Sequence, residues 1–461
     1  MKYAFITLMS GLSVLSTFTS AAELAPQVEL EEDVYTHTAA DNGAGPMWCS
    51  GSTCIVRSGD AVFVSGLQTV PDVKPLNNCR WMLFTRGDDG WRQVRLDDTG
   101  LTREPSPLAA FDDGRVFLST NPTLAPGEYA GPAQPNVLQF DSGDLSAPPI
   151  PLNPVWLGSP AFTEHSYRSF AADGSDGELI LFQNIGYTHA EWTFRDRSGQ
   201  WSAQGQLKWP WGAEYETPKP IRICYPNVAL RGRAVHFFGV SDVVEPNPAF
   251  RQFKLELTGQ KWDYDFRRLF YTWTPDVTQQ PFAEWVEIAS REQTGGRLSP
   301  GDLWLAENGD VHLLWSERAI DERLREKFYP DAQQSESLNY AVIRQGKVMN
   351  RSSILEVEEG MPGIVGSAGR FHATPDNRLF VVHLASGSDP EGRRVNENRI
   401  VEVLQDGSFG PPVRLPLEQP FTSFFTTTAR AGSPPSWTLE MLGLHAASPT
   451  TLSYARVNLR N

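Results

Sequence analysis

The chain has 461 residues and a formal net charge of −15, its 55 acidic and 40 basic side chains scattered along its length and not gathered in a tail. That balance argues against nucleic acid or any other polyanion as a general partner, yet allows an anionic substrate if one cleft concentrates arginines. Four cysteines, Cys49, Cys54, Cys79 and Cys224, are too few for a disulfide scaffold and lack the paired spacing of metal ligands, so no metal set is assigned.

At the N-terminus, Lys2 is followed by an apolar run through Phe5, Ile6, Leu8, Leu12, Val14 and Leu15, then by Ser20-Ala21-Ala22. This reads as a secretory signal peptide over residues 1–22, cut near Ala22. The run is too short and too rich in Ser and Thr to span roughly 30 Å of hydrocarbon. No later segment qualifies as a membrane span, so residues 23–461 are expected as one exported domain, secreted or periplasmic, and monomeric. In an oxidising compartment Cys49–Cys54 is the easiest bridge, with Cys79 as the competing partner and Cys224 as a buried thiol.

From residue 61 onward one pattern recurs. AVFVSG (61–66), RVFLST (115–120), ELILFQ (178–183), AVHFFG (234–239), DVHLLW (310–315) and RLFVVH (378–383) each leave a polar or glycine turn as a strand. A second, polar-alternating strand follows each: RWMLFTR, NVLQFD, EWTFRD, RRLFYTW, LNYAVI, RIVEVL and finally LSYARV. The unit recurs seven times at intervals of very roughly 55 to 75 residues, longer than familiar propeller repeats, and the excess falls in loops. With helical periodicity almost absent, the fold class expected is all-β, a single seven-bladed β-propeller. VELEEDVYTH (28–37) is expected to lend an outer strand to the blade that ends at Val457. A pair of β-sandwiches is the competing architecture, but it does not explain the sevenfold recurrence.

Two insertions interrupt the pattern and are expected to wall a cleft on one rim. One covers about residues 242–284. The other, ERAIDERLREKFYPDAQQSES (317–337), places Ile320, Leu324 and Phe328 on one helical face and reads as a short amphipathic helix.

The segments taken to open the blades, 47–54, 102–109, 164–170, 222–228, 298–305, 370–375 and 422–427, carry unusual chemistry. They hold Arg103 with Glu104, His165 with Tyr167 and Arg168, Arg222 with Tyr225, then Asp302 and His372. If each opening faces the central channel, His165, Tyr225 and Arg222 converge from neighbouring blades as a catalytic set. Arg103, Glu104, Tyr167, Arg168, Asp302 and His372 would line the substrate. His189 in YTHAEW and Trp211 in KWPWGAEYE join that lining, Trp211 as a stacking platform for a sugar. For each alone the alternative is structural: polar groups at a channel mouth often bond only to each other or to buried water. His236 and His312 lie in apolar strand interiors and read as satisfied core histidines.

EHSYRSFAADGSDGELILFQ and RICYPNVALRGRAVHFFG resemble the blade openings of secreted sialidase-like propellers, and among these the ulvan-lyase type of seven-bladed polysaccharide lyase. That resemblance implies β-elimination on a uronate-containing anionic polysaccharide. A histidine and a tyrosine from adjacent blades, matching His165 and Tyr225, would move protons, and an arginine, matching Arg222, would neutralise the carboxylate; no cofactor is required, and a structural calcium stays open. The Asp-box survives only in eroded form, as DRSGQW (196–201), and the F-R-I-P motif is absent, which disfavours a sialidase mechanism. Two other functions remain: a non-catalytic glycan- or protein-binding propeller, and a glycoside hydrolase drawing two carboxylates from Glu104, Glu164 and Asp302.

Overall fold

The computed structural model describes residues 24–460, so the signal-peptide expectation lies outside the described residues. Among these, seven four-stranded antiparallel sheets account for nearly all the strands. Their inner strands are Ile55–Ser58, Leu108–Ala110, Ser169–Asp173, Ile223–Arg231, Gly295–Leu305, Ile364–Ala373 and Phe421–Thr426. Each of these touches the next, and the seventh touches the first. The ring is closed, which makes the fold a seven-bladed propeller and rules out paired sandwiches.

Closure works as the sequence suggests: Gln27–Thr36 pairs antiparallel with Ser448–Asn458 as the outer strand of blade seven. N- and C-terminal segments are thereby tied into one sheet, which removes the edge at the seam. Blade three shows why the second strands read as continuous apolar runs. Leu179 and Leu181 pack toward Phe117 of blade two, while Ile180 and Phe182 pack toward Phe237 of blade four. Alternate side chains point to opposite faces, and here both faces are covered.

Long loops between second and third strands all emerge on the rim where the inner strands begin. In blade four this loop holds helix α1 (Pro248–Thr258). Asn247 caps it by accepting from the amides of Ala249 and Phe250, Pro248 occupies the first turn, and Gly259 ends it at φ +70°. In blade five it holds helix α2 (Glu322–Phe328), capped by Asp321. Ile320 ends the preceding strand and is not part of the helix, whereas Leu324 is buried and Phe328 packs edge-on against Phe250 of α1 at 4.9 Å. Lys254, fully buried, bonds Glu245 at 2.8 Å and lies 3.4 Å from Asp321 and 3.6 Å from Asp263. Helices and ion pairs thus fasten the two insertions into one wall.

The central channel is filled. At the opening end residues 50–52 cross it, and from the far end the loop after Thr426 enters it, with Ala431 bridging Ala172. Arg430 bonds Asp302 at 2.7 and 2.9 Å, Gly51 O at 2.9 Å and Asn227 Oδ1 at 3.1 Å. Arg370 donates to the carbonyls of Phe424, Ser50 and Gly301. A ligand therefore meets the rim and not an open tube.

All four cysteines are free and buried, so the Cys49–Cys54 bridge does not form. Between them Gly51 is wedged against the Tyr225 and Pro226 carbonyls, while Cys54 enters the core with Ile55 and Val64.

Candidate active site

Blades three and four meet on the opening rim, and their chains kink where they do. Tyr167 sits at φ +36° and Tyr225 at φ +49°, a left-handed region that bulky side chains seldom adopt. At Tyr225 the ladder to the next strand slips between Cys224 and Asn227. Cys224 is fully buried and Tyr225 half-buried, the division simple strand alternation predicts. The cause is different, because a bulge turns Tyr225 toward the rim. Ser169 Oγ, bonded to the Pro226 carbonyl, braces that bulge from blade three.

Trp48 organises the side chains. It stacks on Tyr167 at 4.7 Å, meets His165 at 5.4 Å and takes Tyr225 edge-on at 5.9 Å. His165 lies 4.6 Å from Tyr167, which lies 5.4 Å from Tyr225. His165, Tyr167 and Tyr225 therefore share one small aromatic nest.

Beneath His165 lies Glu104, 1% exposed. Its carboxylate accepts from His165 Nδ1 at 3.2 Å, from the Ser166 amide at 3.0 and 3.2 Å, and from Ser166 Oγ. Burial pushes that carboxyl up, but the His165, Arg168 and Ser166 contacts outweigh it and hold it below its ordinary value. In the neutral tautomer that donates Nδ1–H to Glu104, Nε2 is the free acceptor, and the side chain is 26% exposed. Burial, with the nearby Cys224 and Asp242, pushes the Tyr225 phenol well up, Arg297 pulling the other way. Tyr225 thus keeps its proton near neutral pH.

Other expected residues lie elsewhere. Arg222 is 2% exposed and paired with buried Asp242 at 2.6 Å. Its guanidinium lies 3.9 Å over Tyr187, 5.3 Å from Tyr167 and 5.6 Å from Tyr264. It props tyrosines and carries no free charge. Arg168 is buried and donates to the Ser119 and Pro105 carbonyls, each at 2.8 Å. Asp302 does not open blade five: that strand starts at Gly295, and Asp302 faces Arg430 in the filled channel. His372 lies near the far end of its inner strand, bonded through Nε2 to Ser436 O at 2.8 Å. Both strands begin earlier than their apolar cores suggest. His189 stands on the opening rim but is held by Thr188 Oγ1 at 2.7 Å and Glu191 at 3.0 Å. Trp211 is 60% exposed beside blade four. His236 and His312 bond tyrosine hydroxyls at 2.7 and 2.5 Å, as core histidines do.

Two unpaired arginines flank the nest. Arg103 lies 5.8 Å over Trp48, and Arg297, one residue before the blade-five opening, lies 5.1 Å over Phe266. Neither has a carboxylate partner among the described residues. Phe266 is 6.2 Å from Tyr225. Beyond it opens a cleft of about 540 Å³ between the two insertions, lined by Lys254, Tyr264, Phe266, Arg297, Arg318 and Arg323 among others. Trp48 stands within the blade-one opening 47–54 but carries no proton-moving group to single it out, and Arg297 falls one residue before the blade-five opening at 298.

No family model matches the chain, and no curated protein matches it in sequence. Among solved structures, polysaccharide lyase Uly1 aligns over 97% of this chain and 96% of its own, at 12% identity and TM-score 0.50. An α-L-arabinanase of Penicillium chrysogenum, solved with arabinobiose, aligns over 94% and 99%, at 10% identity and TM-score 0.44. A protein of unknown function from Dyadobacter fermentans aligns over 94% and 99%, at 11% identity and TM-score 0.43. At such identities the likeness is one of fold alone: a seven-bladed propeller. Its shape is similar to that of a polysaccharide lyase, and the chemistry must be argued from the rim.

Proposed function

We propose that the protein is an exported polysaccharide lyase acting on a uronate-containing anionic glycan. The observation that carries this is the Glu104–His165 hydrogen bond with protonated Tyr225 across the shared Trp48 and Tyr167 rings. β-Elimination needs a base, an acid and a cation. His165 Nε2 removes the proton from C5 of the uronate, the electron pair forms the C4–C5 double bond, and the C4–O bond breaks. Tyr225 then gives its proton to the departing oxygen. Glu104 fixes the tautomer that leaves Nε2 unprotonated, a positioning role. Because Arg222 is neutralised by Asp242, the carboxylate on C5 is assigned to Arg103, the unpaired cation on the His165 side. Trp48 supplies an apolar face for the ring.

The hydrolase alternative requires two carboxylates facing one cleft. Of its three candidates, Glu104 is held under His165, Asp302 lies against Arg430 in the channel, and Glu164 accepts from the Gly131 amide, so this reading has the weaker support. Ultraviolet absorbance of the new double bond, followed across a panel of acidic polysaccharides, tests the reading. A rise on at least one uronate polymer is expected. No rise on any, from folded protein that still binds glycan, would favour the non-catalytic propeller.

A further inference from the structure

The blade-four insertion returns to its blade through Tyr264, Asp265 and Phe266, and each is fastened to something different. Tyr264 Oη lies 2.8 Å from Tyr187 Oη of blade three. Phe266 O accepts from the Leu298 amide of blade five at 2.6 Å, and the Phe266 ring lies 6.2 Å from Tyr225. Between them Asp265 is 2% exposed. This limb is the wall beside the candidate active site, so what holds Asp265 holds the wall.

On one side Asp265 has an ordinary partner, Ser241 Oγ, which donates to Oδ1 at 2.7 Å. On the other it meets Glu292, within hydrogen-bond reach, in the turn that leads from blade four to blade five. Asp265 Oδ2 and Glu292 Oε1 are both buried, and neither accepts from an N–H or O–H of the described residues. The neighbouring cations are already taken. Arg267 holds Glu245, which Lys254 also holds, and Arg268 holds Glu214 and Glu287. Of the other groups facing the two carboxyls, Glu245 is a further negative charge. Tyr215, Cys224 and Tyr329 bring no positive one. Two carboxylates this close and without a donor do not both stay ionised in a buried place, whereas one proton between them turns repulsion into a hydrogen bond. Burial and Glu292 accordingly push Asp265 up to about 8, against Arg267 and Ser241, and burial pushes Glu292 up too.

We propose that Asp265 and Glu292 form a proton-bridged latch, which holds the returning limb of the insertion on the rim while they share one proton and frees it when that proton passes to an alkaline solvent. The limb is the side that yields. Its strand pairs over two residues only, with Val243 and Val244, and nearby Trp262 is 72% exposed. With the limb go the Tyr187–Tyr264 contact and the Phe266 ring beside Tyr225, so the rim acquires an alkaline limit whatever reaction it performs. The sign follows from linkage: an unfolded aspartate gives up its proton above about 3.9. The stability due to the shared proton is therefore complete below that value and lost as pH rises toward about 8.

The test compares the intact protein with Asp265→Asn and with Glu292→Gln, each of which places an amide N–H between the two groups at every pH. Two readouts are taken at about pH 6 and about pH 9.5, on either side of the Asp265 value. In the infrared, the unaltered protein should show a protonated-carboxyl stretch at the lower pH that is gone at the higher one and missing from both variants. Amide hydrogen exchange across residues 262–268 should match in all three proteins at the lower pH. At the higher pH it should be about tenfold or more faster in the unaltered protein than in either variant. A carboxyl band that persists in both variants, or exchange that stays equal at both pH values, would overturn the latch. Loss of the band without faster exchange would overturn it as well, since the shared proton would then fasten nothing.

Discussion

At the residue scale, Cys224 and Tyr225 are adjacent and do opposite work. Tyr225→Phe removes a hydroxyl that takes no hydrogen-bond partner among the described residues, so melting should hardly change while turnover on a confirmed substrate drops roughly 10²-fold or more. Cys224→Ser buries a hydroxyl in an apolar cluster and should cost about 1–3 kcal/mol of stability with turnover kept. Denaturation and initial rates on the two variants separate the roles, and full activity in Tyr225→Phe would refute the proton transfer. Glu104→Gln keeps the shape but not the charge under His165, so turnover should fall by about 10²–10⁴-fold. A pH profile adds a readout that packing alone would not move. Because folding lowers the Glu104 value, the carboxylate stabilises above its unfolded value and loses that contribution as pH falls through the folded one. Glu104→Gln should therefore flatten the acid side of the stability curve. These residues were legible in the sequence as types at strand openings. Their division of labour was not, because the Arg222–Asp242 pairing and the Glu104–His165 bond depend on contacts between distant parts of the chain.

At the scale of elements, the inner strands of several blades share a bulge, near the start in blade four and in mid-strand in blades five and six. The ladder slips at Cys224/Asn227 in blade four, Pro300/Asp302 in blade five and Ser367/Arg370 in blade six. Where blade four places Tyr225 at positive φ, blade six places Ala368, at +51°. Away from the site that strain serves no chemistry. Ala368→Gly should therefore stabilise the protein by about 0.5–1 kcal/mol, since glycine takes this conformation without the Cβ penalty. Thermal melting checks this; a lower melting temperature would mean the methyl packs more than it strains. The bulge also explains the misplacement of His372 and Asp302. Apolar periodicity marks a strand's core but not how far a bulged strand extends before it, so two mid- or late-strand residues read as openings. Helix α1 shows the reverse: its Asn-Pro start and Gly end were readable signals inside a segment taken only as an insertion.

At the scale of the whole molecule, the sevenfold recurrence and the closing strand followed from the sequence because each blade repeats the same turn-and-strand grammar. The filled channel did not, since Arg370 stands in an opening (370–375) that drew notice for His372, and Arg430 lies in a segment that carries no motif. Burial holds four core histidines neutral, with His236, His312, His372 and His383 each pushed down to about 4. Unfolded histidines take protons below about 6.5. A group whose folded value is depressed in this way destabilises the fold as pH falls from that value toward 4. Denaturant midpoints should accordingly drop between pH 6.5 and 4, with His372→Gln reducing the slope; a flat response over that window would mean the histidines are not held neutral.

On the proposed reading the rim around His165 and Tyr225 breaks glycosidic bonds by elimination. Counting unsaturated ends against new reducing ends on one uronate polysaccharide, with the unaltered protein and with His165→Ala, tests it most directly. Elimination predicts one unsaturated end for every new reducing end, and neither from His165→Ala. New reducing ends without unsaturated ones, or undiminished unsaturated ends from His165→Ala, would contradict it.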